Sequence, residues 1–450
     1  MAYFSRHIDG ELLRWKNDPD KKPLLIRGAR QVGKSTAIRQ LGKSFKYYVE
    51  VNLEKQPRLA ELFTENIDVR MTCSKLSATL SIPIEAGNTL LFIDEIQTSK
   101  QAIMYLRYFK EEYPELHVVA AGSLLEFTLE ELSSFGVGRI RSLYMYPFSF
   151  DEFLSAQGLQ LQVDYKRQTS VGTPLPTPLH DSLCEQLRTY ILVGGMPAAV
   201  AEWVRHHDYL RCGRIHGEIL DSYMDDFSKY KKRISPDTLR MVLQSVANQI
   251  GSKFVMSKAI PDVHSTLIRE ALRLLSMAGL IVPVSHTDAN GLPLGAEVSD
   301  NITKYLFIDT GLLMRLMSVS FKDVLLATDV DLVNKGAIAE MLAGLEIIKY
   351  SDCFMKSRLY YWQQNSRTGN AEVDYLISYH GRVMPIEVKA STKGSMQSLY
   401  LFMRKKHLTD AVRTSLENSS TYSYIDKEDG DAVRTIRVIP LYSLSILSEY

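Results

Sequence analysis

Apolar and polar positions along this chain fall into blocks that read as strand, loop and helix in turn. Lys22-Pro23-Leu24-Leu25-Ile26 is a short apolar run before a glycine-rich stretch. Thr36-Ala37-Ile38-Arg39-Gln40-Leu41 then shows the spacing of a helix start. Tyr47 to Leu53, Thr89 to Ile93, and His117 to Ala121 are further strand-like runs. The run from Thr89 is continuously apolar, as in a parallel strand covered by helices on both faces. Ser142-Leu143-Tyr144-Met145-Tyr146-Pro147 reads as the last strand of this set. Strands alternating with helices predict an α/β segment built on a parallel sheet.

The pattern then changes. Between Ala156 and Leu183 lie Gln157, Gln160, Gln162 and Gln168, then Gly172, Pro174, Pro176 and Pro178. These polar, turn-forming residues predict a surface loop. Beyond it the chain reads as helical. Gly194-Gly195-Met196-Pro197 marks a turn, and Ala198 to Tyr230 has helical spacing. Pro236 to Ile250 and Val263 to Gly279 are two more helices, the second with Leu267, Ala271, Leu274 and Leu275 on one face. Leu280 to Val284 and Thr303 to Ile308 form two strands around the turn at Asp288-Ala289-Asn290-Gly291. Helices followed by a hairpin predict a winged helix. Its Arg269 and Arg273 are placed one turn apart, where they could contact DNA, although winged helices equally serve as spacers. The basic run Lys229 to Arg233 reads as a solvated helix end rather than a phosphate-binding strip. The last third gives a helix from Gly336 to Lys349, strands at Arg358–Trp362, Glu372–Ile377 and Pro385–Lys389, and a helix from Met396 to Lys406.

Composition adds bounds. At 450 residues the chain is long enough for two or three domains, each with its own core. A net charge of +1 excludes a global field that would mark it for nucleic acid or an acidic membrane. Cys73, Cys184, Cys212 and Cys353 are scattered, which argues against a zinc site or disulfide framework and for a reducing cytoplasm. The N-terminus lacks the apolar core of a signal peptide, and no run approaches a membrane span. A cytoplasmic protein without membrane partners is therefore expected.

Candidate chemistry is concentrated in two places. Gly28-Ala29-Arg30-Gln31-Val32-Gly33-Lys34-Ser35 matches the phosphate loop G-x-x-x-x-G-K-[ST] at every defined position. Together with Thr36 it is the expected ATP-binding segment. Backbone N–H groups and a helix N-terminus favour phosphate there. Lys34 would reach the β- and γ-phosphates, and Ser35 would ligate Mg2+. The apolar run at Thr89 ends in Asp94-Glu95. Asp94 is the expected Mg2+ ligand, and Glu95 the residue that orients or deprotonates water. Arg139, ahead of Arg141, is a candidate for γ-phosphate contact in cis or from a neighbouring subunit.

The second place is the last third. Glu387 and Lys389 are two apart and so share one strand face, with Asp374 on the neighbouring strand and Glu340 on the preceding helix. Asp374 and Glu387 would hold Mg2+, and Lys389 would position the attacking water. A nuclease-type site competes here with a nuclease fold retained only for binding.

The chain resembles prokaryotic AAA-type ATPases (AAA domain 14 type) that end in a domain of unknown function, numbered 4143. The resemblance runs nearly end to end. It rests on the Gly28 to Ser35 loop, Leu91 to Gln97, Ala121-Gly122-Ser123, Gly138-Arg139, Tyr146 to Phe153, Gly194 to Pro197, Lys304-Tyr305 and Asp309-Thr310-Gly311-Leu312. It implies an AAA-type P-loop core over residues 1–155, a helical and winged-helix middle over 156–330, and a domain similar to PD-(D/E)XK nucleases over 331–450. Glu340, Asp374, Glu387 and Lys389 match the nuclease pattern. Ser123 falls where such ATPases place a sensor residue, often Asn, and Ser35 stands where many relatives have Thr. The expectation is a Mg2+-dependent ATPase whose cycle controls DNA binding or cleavage, with oligomerisation open. The alternative is an ATP-driven switch that binds a protein partner.

Overall fold

The computed structural model describes residues 3–448 except 65–67, 133–137, 228–233, 262, 319–334, 367–368 and 391–393. The basic run Lys229 to Arg233 lies outside the described residues. The chain packs as two compact units. One comprises Met1–Pro147 with Met277–Gly279 and Asp352–Lys356; the other comprises Phe148–Ser276, Leu280–Ser351 and Ser357–Tyr450.

The first unit is built on five strands: β1 (Leu24–Arg27), β2 (Tyr47–Asn52), β3 (Thr89–Asp94), β4 (His117–Ala121) and β5 (Arg141–Tyr144). They run parallel in the order β2-β3-β4-β1-β5. β4 therefore separates the strand leading to the phosphate loop from the strand ending in the acidic pair. All six residues of β3 are buried. Leu91 and Ile93 enter a core with Cys73, Leu76, Ile103, Leu106 and Phe109, contributed by the helices Val69–Leu80 and Lys100–Glu112. Leu90 and Phe92, equally buried, point to the opposite face because strand side chains alternate. This two-sided burial explains the uninterrupted apolar run.

The second unit joins helices to an eight-stranded mixed sheet. Its strands are β6 (Ile281–Thr287), β7 (Val298–Phe307), β8 (Leu359–Ser366), β9 (Gly369–Tyr379), β10 (Arg382–Val388), β11 (Asp410–Ser415), β12 (Ser420–Asp426) and β13 (Ala432–Pro440), in the order β12-β13-β11-β10-β9-β8-β6-β7. The hairpin β6–β7 follows the helices Pro236–Asn248 and Ser265–Met277. It does not stop at a hairpin: β6 pairs in parallel with β8, Val284 opposite Leu359. The sheet thus runs across position 330. Strands β11 to β13 carry no signal recognised in the sequence; β12 is largely exposed and lacks a clean alternation.

Three local expectations are corrected. The segment expected as a loop after Ala156 contains the helices Gln160–Gln168 and Thr177–Val193. The first buries Lys166, whose ammonium donates to Asp151 Oδ1 at 2.5 Å and to the Tyr442 carbonyl at 2.8 Å. That tertiary ion pair holds a helix whose own composition is polar. Pro178 opens the second helix, a position where a missing N–H costs nothing. The stretch from Ala198 is two helices, Pro197–His206 and Tyr209–Phe227, broken where His207 turns left-handed at φ +48°. In Ser265–Met277, Leu267 is exposed; Ile268, Ala271, Leu272, Leu274 and Leu275 form the buried face.

Asp309 ties two of the sequence motifs together. Its Oδ1 accepts from the Leu312 N–H at 3.0 Å, capping the helix Thr310–Leu316, and its Oδ2 accepts from the Gly195 N–H at 2.6 Å. The Gly-Gly-Met-Pro and Asp-Thr-Gly-Leu motifs are thus two halves of one buried contact.

Candidate functional site

β1 ends at Arg27 and the next helix starts at Lys34, so Gly28 to Gly33 must reverse direction within six residues. Gly28 sits at φ +139°, and a Cβ there would stand 2.1 Å from the Met145 carbonyl oxygen. Gly33, at φ +97°, is the N-cap of the helix Lys34–Gly42. No acidic residue lies in that helix's first turn, so its positive dipole end is not countered. Gln31 is also left-handed, at φ +63°. Ala29 and Val32 are buried, Arg30 is half-buried, and Thr36 is exposed. Lys34 donates to the carbonyls of Gly28 at 2.9 Å and Ala29 at 2.7 Å. Burial pulls its ammonium down to about 8, against the opposing pull of Glu95 and Asp94.

Asp94 closes β3 beside this loop. Its Oδ1 accepts from Ser35 Oγ at 3.1 Å and from the Glu95 N–H at 3.1 Å; its Oδ2 accepts from Asn52 Nδ2 at 3.2 Å. Burial, then the charge of Glu95, raises its pKa. A hydroxyl and a carboxylate already in contact are hard oxygen donors of the kind Mg2+ takes. Glu95 follows at φ +52°, in the left-handed region. Its Oε2 accepts from Gln97 Nε2 at 2.5 Å and from Ser123 Oγ at 3.1 Å. The structure therefore brings Lys34, Ser35, Asp94, Glu95 and Ser123 to one place.

Arg139 goes elsewhere. It is ion-paired with Glu111, near the C-terminal end of Lys100–Glu112. Arg141 stands opposite Leu24, whereas Arg27, which leads into the phosphate loop, stands opposite Tyr144. Three residues of strand are about 10 Å. Both arginines thus lie toward the strand end opposite the phosphate loop.

The second constellation also assembles. The helix Lys335–Lys349 supplies Glu340, β9 supplies Asp374, and β10 leads through Glu387 to Lys389. Asp374 Oδ2 accepts from the Val388 N–H at 2.7 Å. Lys389 Nζ donates to Glu387 Oε1 at 2.5 Å. Glu387 Oε2 is buried with no hydrogen-bond partner among the described residues. Burial pushes Glu340 up to about 8 despite Lys304, and Glu387 up to about 8 with help from the Asp374 charge. Burial also raises Asp374. An orphaned carboxylate oxygen beside a second, anchored carboxylate fits a divalent cation held by oxygen.

Several residues at these sites were given no chemical role by sequence reasoning. Arg6 is buried and donates to the carbonyls of Val32 at 3.1 Å and Tyr146 at 2.8 Å, backing the phosphate loop. Asn52 donates to Asp94 and Gln97 donates to Glu95. Lys304 and Glu372 join the carboxylate cluster: Lys304 Nζ donates to Glu340 Oε1 at 2.8 Å and Glu372 Oε1 at 2.5 Å. Glu372 was legible, since it shares a strand face with Asp374. A lysine within the run Thr303 to Ile308 was the signal for Lys304.

Comparison with known proteins matches residues 20–154 to the AAA domain family. Residues 184–323 match a domain of unknown function, DUF8612, and residues 335–444 match another, DUF4143. The chain thus carries an AAA domain in its first third and the DUF4143 domain in its last. No curated protein matches. Among solved structures the chain is similar to the ORC1 protein of Aeropyrum pernix in complex with DNA, at 14% identity, over 70% of this chain and 93% of that one, with a TM-score of 0.30. It is also similar to domain III of the replication initiation protein DnaA of Thermotoga maritima, at 14% identity, over 42% of this chain and 85% of that one, with a TM-score of 0.24. Among the described residues, no helix is long and apolar enough to cross a membrane.

Proposed function

We propose that this protein is a Mg2+-dependent ATPase whose hydrolytic cycle controls DNA binding or cleavage by its C-terminal, nuclease-like portion. One observation carries the ATPase reading: Ser35 Oγ already meets Asp94 while Glu95, the next residue, is held by Ser123 and Gln97. Bound at Ser35 and Asp94, Mg2+ would supply charge neutralisation at the β- and γ-phosphates. The chain's own residues do the rest. The loop N–H groups and Lys34 hold the phosphates, and entry of ATP would draw Lys34 Nζ off the loop carbonyls. Glu95 accepts the proton of the attacking water, or orients it, while Ser123 fixes the carboxylate. Arg139, exposed and away from its own loop, is suited to a neighbouring subunit's γ-phosphate and not to its own.

The nuclease-like reading rests on Glu340, Asp374, Glu387 and Lys389 meeting around one buried cluster. Asp374 and Glu387 would hold a divalent cation there, and Lys389 would position water for attack on a phosphodiester. ATP turnover and plasmid integrity, measured in one Mg2+ reaction with and without DNA, test both halves. Lys34→Ala should abolish turnover with the fold intact, and Glu95→Gln should reduce it at least a hundredfold, the scale of a lost general base. Nicking that disappears in Lys389→Ala supports the nuclease. Unchanged ATP turnover in Lys34→Ala would sink the ATPase assignment. Turnover with intact DNA under all conditions would move the C-terminal portion to the recognition of a protein partner.

A further inference from the structure

The carboxylate cluster contains a cation that belongs to the chain itself. Glu340, Glu372 and Asp374 each offer an oxygen within 4.8 Å of the others, a spacing that could hold a metal ion. Lys304 Nζ sits on two of these three, 2.8 Å from Glu340 Oε1 and 2.5 Å from Glu372 Oε1. It is fully buried on β7, with the Tyr361 ring 4.9 Å away. Burial works against its charge, yet the two carboxylates it touches, Glu340 and Glu372, hold its pKa above the ordinary lysine range. Withdrawing it would leave the buried Glu340 and the half-buried Glu372 without their shared counter-charge. The remaining pair differs. Glu387 gives Oε1 to the Lys389 ammonium at 2.5 Å, but its buried Oε2 has no partner among the described residues, and Asp374 Oδ2 accepts from the Val388 N–H.

Two-metal nucleases place their ions about 3.5–4 Å apart, within a shared set of carboxylates. Here an ammonium occupies the Glu340–Glu372 side. We propose that Lys304 stands in for one of two cations, so that the cluster takes a single divalent ion, held by Asp374 and Glu387. The inference rests on the nuclease-like reading of the site. It assigns Lys304 and Glu372 a role outside the Glu–Asp–Glu-x-Lys pattern. Lys304 is a positioning residue in this scheme: it fixes the charge and the number of ions and does not touch the scissile phosphate.

The test is Mn2+ binding to the full-length protein without nucleotide, read by equilibrium dialysis and electron paramagnetic resonance, beside Asp374→Asn. Wild type should bind one magnetically isolated Mn2+ that Asp374→Asn loses. Lys304→Met, which keeps the length of the side chain and removes its charge, should gain a second ion spin-coupled to the first. Two coupled ions in wild type would overturn the proposal without recourse to any Lys304 variant. One ion in both wild type and a folded Lys304→Met would overturn it while leaving the metal site intact. If neither protein binds an Asp374-dependent ion, the nuclease-like reading falls and the inference falls with it.

Discussion

At the scale of single residues, the ATP site depends on side chains whose task is to hold other side chains. Ser123 donates to the Glu95 carboxylate at 3.1 Å. Ser123→Ala should lower kcat about tenfold with KM for ATP little changed, the worth of one hydrogen bond to a charged group. Ser123→Asn should restore most of the loss, which a merely structural serine would not do. A second residue-scale prediction concerns pH. His117 is buried against Trp15 and Phe45, donates from Nε2 to the Lys16 carbonyl at 2.9 Å, and leaves Nδ1 without a partner among the described residues. Burial lowers its pKa below the ordinary histidine value. The unfolded chain therefore binds a proton below about pH 6.5 that the fold refuses, and stability falls as pH drops. Thermal melts at pH 7.5 and 5.5 should show a smaller acid loss in His117→Phe than in wild type. The reverse order would refute a neutral His117. Both predictions use residues that a motif cannot supply, because their partners lie in distant parts of the chain. The phosphate loop was legible because its chemistry is local; the grips on Glu95 and Asp94 were not.

At the scale of elements, periodicity was a good guide wherever one face is buried. It failed where an ion pair replaces an apolar face. The helix Gln160–Gln168 buries only Val163 and Lys166, too little for a hydrophobic signal. Its stability comes from the Lys166–Asp151 pair, both side chains nearly inaccessible. Lys166→Met should destabilise the second unit by about 1–3 kcal/mol, because the buried Asp151 carboxylate loses one of its two counter-charges and keeps Arg167 at 3.0 Å. Lys166→Met with Asp151→Leu should recover much of that loss in urea melts. Equal losses for the single and double variants would show that the pair is not the anchor. The helix Ser265–Met277 gives the complementary lesson. Its apolar pattern was real, but the stripe is centred on Ile268 and leaves Leu267 in solvent, a rotation of one residue that a short amphipathic window does not resolve.

At the scale of the whole molecule, the order of elements was largely visible and their assembly was not. The hairpin β6–β7 and the later strands read as separate segments, yet they share one sheet through β6 and β8. Nothing local to either strand encodes that partnership. A fragment 331–450 would lack β6 and Lys304 together. It should melt less cooperatively than a fragment 281–450, as followed by circular dichroism. Equal stability would show that the β6–β8 pairing is incidental. The same sheet has a further consequence. Side chains on a strand alternate faces, so a slip of one residue in β7 would carry Lys304 to the other side of the sheet. β6 and β7 already contain an irregularity, between Ser285 and His286, beyond which the pairing resumes in a shifted frame. A gained or lost residue that shifted the register at Lys304 would therefore act as the loss of a positive charge from a cluster whose acids come from elsewhere in the chain. The hairpin's length is a setting for the electrical balance of the cluster, and an insertion there would read as a mutation of Glu340 and Asp374 without changing either.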